Sequence, residues 1–116
     1  MTDTLWHINS DSLGEDREIG GRLIQTFWNS LEEQMEGQST FASSTFAFIN
    51  RGIFLTLEDS PVLEALKRLE ERGSLLLSCG TCLDYFQAKE RLAVGEVGNM
   101  ARLQKLMLSS SKVVTL

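Results

Sequence analysis

Short apolar runs alternate with longer amphipathic stretches along this chain, and that alternation predicts an α/β domain. Residues 5–9 form the first apolar run and read as a strand, closed by the turn-rich loop Ser10-Asp11-Ser12-Leu13-Gly14. A helix is expected over residues 16–35. Ile19, Leu23, Phe27 and Leu31 recur every four positions there, and Ile24, Trp28 and Met35 widen the stripe. Gly20 and Gly21 lie inside that helix, each weakening it by ~1 kcal/mol relative to Ala. They suit either close packing on the sheet or room for a ligand or a neighbouring subunit. Residues 37–44 read as a loop and residues 45–50 as a second strand, with Phe41, Phe46 and Phe48 as core. Arg51-Gly52 makes a turn, and residues 53–57 read as a short strand or extended segment.

Ser60 is placed to cap a second helix and Pro61 to occupy its first position. Leu63, Leu66 and Leu69, beside Val62, form its buried stripe, Glu64 and Arg68 an exposed pair contributing about 0.3 kcal/mol, and Gly73 its stop. Leu75-Leu76-Leu77 reads as a central parallel strand buried on both faces. A short helix is then expected from residue 81 or 82 to about residue 89, a fourth strand within residues 92–97, a helix capped by Asn99 with Leu103, Leu106 and Met107 inward, and a last strand over residues 112–116. These elements make one domain over residues 1–116 with a mainly parallel sheet of about five strands and helices on both faces.

Composition narrows the function. The formal net charge is −5, and the 11 basic residues are scattered with no aromatics interleaved. Nucleic-acid and anionic-membrane binding are therefore disfavoured. No apolar run approaches the roughly 18 residues that cross a bilayer, and the first residues lack the basic and apolar regions of a signal peptide. A cytoplasmic location is the expectation. At 116 residues the core is modest, which makes association with further copies a source of extra burial.

The candidate chemistry lies in Cys79-Gly80-Thr81-Cys82, at the carboxyl end of the Leu75-Leu76-Leu77 strand, where open α/β sheets place their sites. A helix N-terminus there would favour a thiolate. Gly80 permits a tight turn, and Thr81 offers a hydroxyl to the helix or to a thiolate. The Cys-x-x-Cys spacing admits a persulfide or perselenide carrier, a dithiol–disulfide protein, half of a metal site, or two small packed residues. A zinc site needs about two further ligands, and the chain offers only His7, itself expected to be a packed strand residue. No metal and no cofactor is therefore expected. Ser10 and Asp11 also sit at a strand's carboxyl end and so could face Cys79, or belong to an ordinary turn. Asn50 and Arg51 end the second strand, where Arg51 either attracts an anion or is a solvated turn charge.

The strings Ser60-Pro61-Val62-Leu63-Glu64, Leu77-Ser78-Cys79-Gly80-Thr81-Cys82-Leu83-Asp84-Tyr85 and Val94-Gly95-Glu96-Val97-Gly98-Asn99-Met100 resemble the C-terminal domain of YedF-type selenium-metabolism proteins, within the DsrE/DsrF-like superfamily. The resemblance runs over nearly the whole chain, including the Ser10–Gly14 loop. It implies a three-layer α/β/α sandwich that assembles as a dimer, trimer or hexamer. It also implies sulfurtransferase-like handling of sulfur or selenium, with Cys79 at the persulfide position and Cys82 in a less defined role. YedF-like proteins commonly carry an N-terminal sulfur-carrier-like domain. This sequence starts directly at the DsrE-like part, so the resemblance implies either a stand-alone version or a partner, such as a sulfur-carrier protein, that supplies the missing half. The alternatives are a non-catalytic oligomeric binding module and a dithiol redox protein.

Overall fold

The computed structural model describes residues 3–37 and 43–116; Phe41 lies outside them. Strands β1 (Thr4–Ile8), β2 (Thr45–Phe48), β3 (Leu75–Cys79), β4 (Glu96–Gly98) and β5 (Lys112–Thr115) form one all-parallel sheet in the order β4-β3-β2-β1-β5. Helices α1 (Arg17–Met35), α2 (Leu63–Glu71), α3 (Gly80–Tyr85) and α4 (Met100–Ser109) fill the crossovers, as parallel pairing requires.

The path explains the layers. From β1 to β4 the chain steps in one direction across the sheet, and then β5 returns to the far side of β1. Parallel crossovers are right-handed, so reversing the direction of travel moves the connecting helix to the opposite face. Trp6, Ile8, Phe46, Phe48 and Leu76 alternate onto the face covered by α1 and α2, where Ile24, Trp28, Leu66 and Leu69 complete the main core. Leu5 and Ala47 point the other way and meet Leu103 of α4, with Ile49, Leu106 and Met107 beside them. The fold is α/β with helices on both faces, as the sequence predicted, and the second face rests on a single ten-residue helix.

Several local expectations are corrected. The α1 stripe is displaced by one position. Gly20, Ile24, Trp28 and Met35 are buried, while Ile19 and Leu23 are about half exposed. Gly20 sets this rotation, because a Cβ there would lie 2.1 Å from Ser12 Oγ and 2.5 Å from the Leu13 carbonyl oxygen. Gly20 is thus a packing glycine, and the helix lies directly on the Ser10–Gly14 loop. The segment read as extended is a 3-10 helix (Asn50–Thr56). Its Thr56 hydroxyl donates to the Ile53 carbonyl (2.6 Å) and accepts from Ser78 (2.9 Å). Ser60 accepts from the Val62 N–H (3.2 Å), so it closes a turn ahead of α2, which starts at Leu63. Arg68 does not pair with Glu64. With Arg72 it reaches the buried Glu32 carboxylate of α1, at 3.5 and 3.2 Å, tying α1 to α2. The helix after Cys82 stops at Tyr85, because Gln87 turns left-handed (φ 54°) and the Ala88 N–H closes on the Leu83 carbonyl (2.8 Å). Gly73 ends α2 with φ 104° and Asn99 caps α4 through the Arg102 N–H, both as expected. Among the described residues no helix is long and apolar enough to cross a membrane.

Candidate functional site

Cys79 closes β3, and the chain direction gives that position its meaning. After β3 the chain enters α3, whose Leu83 joins the main core; after β4 it enters α4 on the opposite face. The carboxyl ends of β3 and β4 therefore flank a switch in connection direction, where open α/β sheets leave a crevice. A narrow apolar recess lies there, walled by Ile49, Leu77, Cys79, Gly98, Asn99 and Met100 among others, with an open volume of about 10 Å³. That is room for about one water-sized group. Cys79 itself is only 9% exposed. Gly80 keeps the α3 turn tight against β4: a Cβ there would sit 3.2 Å from Val97 Cγ1 and 3.3 Å from the Gly98 carbonyl oxygen.

Both cysteines are free thiols. Burial pushes the Cys82 thiol above its ordinary value. The Asn50 backbone N–H, donating to Cys82 Sγ at 3.2 Å, works against that rise. The neighbouring Cys79 reinforces it. The helix N-terminus plays less part than the sequence suggested: α3 has six residues, and the Cys79 side chain makes no capping hydrogen bond.

The other candidate residues divide between two places. Asn50 stands beside the thiols in a left-handed conformation (φ 50°). Thr81 is exposed on the first turn of α3. Ser10 accepts from the Ser12 N–H (3.0 Å), which shapes the β1–α1 loop. Asp11 and Arg51 meet at 3.5 Å in a separate cleft that neither thiol lines. The Ser10–Gly14 loop therefore does not wall the Cys79 recess. His7 lies half-buried in β1; burial lowers its pKa, and its Nε2 has no hydrogen-bond partner among the described residues. Among the described residues no three His, Cys, Asp or Glu side chains gather in a way that could hold a metal ion. Sequence reasoning missed Arg17 and Arg91, which share the cleft of Asp11 and Arg51. They come from distant parts of the chain and no spacing links them.

Known proteins bear on the fold. No protein-family profile matches the chain, and no curated protein matches its sequence. Solved structures do match. The ychN protein from E. coli superposes with a TM-score of 0.76 at 18% identity, over 100% of both chains. MTH1491 from Methanobacterium thermoautotrophicum, a protein of unknown function, gives 0.66 at 13% identity, also over 100% of both. BT1422 from Bacteroides thetaiotaomicron, a conserved protein of unknown function, gives 0.66 at 11% identity, over 98% of this chain and 95% of the other. The chain thus shares one fold with these three structures over 98% or more of its length.

Proposed function

We propose that the protein carries sulfur, or selenium, as a persulfide or perselenide on Cys79 and passes it to a partner protein. The observation that carries this reading is the position of Cys79 at the end of β3: it opens onto a recess with room for about one further atom, with Cys82 following in α3 and held by the Asn50 N–H. In the loading step the Cys79 thiolate attacks the outer sulfur of a donor persulfide. The new S–S bond forms at Cys79, the donor's S–S bond breaks, and the donor leaves as a thiolate. In the unloading step an acceptor thiolate attacks that outer sulfur and Cys79 leaves as thiolate, with the Cys82 S–H hydrogen-bonding to the charge that returns. Neither step needs a net oxidant. The exposed Met100, Leu108 and Val113 support association with further copies on the α4 side.

Mass spectrometry after incubation with a persulfide donor tests the assignment. An adduct of about 32 Da, one sulfur atom, is expected on Cys79 in wild type and in Cys82→Ser, and none in Cys79→Ser. No adduct in wild type, under conditions that load a known carrier, sinks the reading. The Cys-x-x-Cys spacing across the β3–α3 junction also supports a dithiol protein, in which diamide takes two electrons and two protons from the pair to close a Cys79–Cys82 disulfide. A rapid, reversible disulfide with no sulfur adduct selects that second reading.

A further inference from the structure

A larger cleft, of about 380 Å³, opens between the first turns of α1, the Asn50–Thr56 segment and the bend at residues 60–61. That size suits a small organic molecule. Its floor is apolar, with Ile24, Phe54, Leu57 and Pro61, while Arg17, Arg51 and Arg91 stand on its walls. The chain as a whole carries −5, so a concentration of three guanidinium groups runs against the average charge.

The two ends differ in charge. Arg91 is shared by Asp59 (3.0 Å) and Glu58 (3.5 Å), two carboxylates for one cation. At the other end the ratio is reversed. Arg17 (2.7 Å) and Arg51 (3.5 Å) converge on the same oxygen, Oδ1 of Asp11, leaving one positive charge in excess. Arg51 is held over the Phe54 ring at 4.8 Å, and among the described residues Asp11 is its only carboxylate. A planar guanidinium has five donors and readily accepts a second oxyanion. Asp11 is a resident counter-ion that satisfies only part of the capacity of the two cations.

We propose that this cleft binds a small organic oxyanion, a carboxylate or phosphate monoester on an apolar body, with its head at Arg17 and Arg51 and its body over Phe54, Leu57 and Pro61. The site is independent of sulfur loading, since neither thiol lines it.

Titration of ¹⁵N-labelled Cys79→Ser/Cys82→Ser protein with benzoate, phenyl phosphate and neutral benzamide tests this, and the thiol substitutions keep the result separate from the persulfide reading. Saturable amide shifts around residues 11–25 and 51–61 are expected with at least one of the two anions, and none with benzamide. The arm that saturates at lower concentration identifies the head group. Arg51→Gln should weaken binding by about tenfold, the value of one charge-assisted contact. Asp11→Asn should strengthen it by about fivefold, because a repelling carboxylate is removed from the head position. Both carry half-exposed or partly exposed side chains with no backbone role, so each variant should fold. No saturable shift with either anion, equal shifts with benzamide, or weakening by Asp11→Asn overturns the proposal.

Discussion

Gly52→Ala is expected to destabilise the protein by about 3 kcal/mol, the upper end of the cost of forcing extra volume into a packed site. A Cβ at this position would lie 2.3 Å from the Ile8 carbonyl oxygen, 3.0 Å from its carbon and 3.3 Å from the Ser10 nitrogen. All three are backbone atoms, so no side chain can swing away to make room. The same Ile8 carbonyl accepts the Ile49 N–H at 2.9 Å, and the Gly52 N–H donates to the Ile49 carbonyl at 2.8 Å. Moving the turn therefore strains the end of the β1–β2 pairing. It also carries Asn50 away from Cys82, whose sulfur loses its backbone donor. Urea unfolding measures the first effect, and the alkylation rate of Cys82 the second. Gly21→Ala is the control. It has nothing within 4 Å of its Cβ position and lies inside α1, so it should gain up to about 1 kcal/mol. Equal and small effects from both substitutions would show that the turn yields freely.

Trp28→Ala is expected to cost about 4 kcal/mol, a large part of the roughly 5–15 kcal/mol that holds a domain folded. Trp28 is fully buried and its ring meets Phe27, Phe46 and Phe48 at centroid distances of 5.5, 5.3 and 5.8 Å. It joins α1 to the β2 side of the main core, and truncation leaves a cavity that a strand and a long helix cannot both collapse to fill. Trp28→Phe should cost only about 1–2 kcal/mol. The Trp28 indole N–H is buried without a partner among the described residues, so the smaller ring removes an unpaired donor as well as volume. Thermal or urea unfolding separates the two variants. A Trp28→Ala loss below about 1 kcal/mol would mean that the core closes around the gap.

Much of the architecture was legible because parallel strands advertise themselves. Leu75-Leu76-Leu77 runs through Ser78 into Cys79 and Gly80, and no amphipathic helix pattern competes there, so both the strand and the placement of Cys79 at its end follow from the residues. The face of α1 was not legible for a specific reason. The series from Ile19 and the series from Gly20 have the same spacing, and a hydrophobicity count favours the isoleucine. What decides between them is the absence of a side chain at Gly20, which admits the Ser12–Leu13 backbone. The 3-10 segment escaped detection because Ile53, Leu55 and Leu57 are all buried and alternate as a strand would. They are enclosed from several sides, so their spacing carries no information about backbone geometry. The Asn50 amide that donates to Cys82 was also hidden, since it depends on the left-handed turn at Asn50.

The placement of β5 beside β1 has a kinetic consequence. Every pairing in this sheet spans a crossover, and the β1–β5 register sets Leu5 against Val113, almost the full length of the chain. Closing so long a loop is entropically costly and is rewarded only after the intervening strands are in place. β5 is an edge strand with Lys112, Val113 and Thr115 exposed, and the face behind it rests on α4 alone. β5 is therefore expected to dock late, and its amides to exchange ahead of those of the central β2.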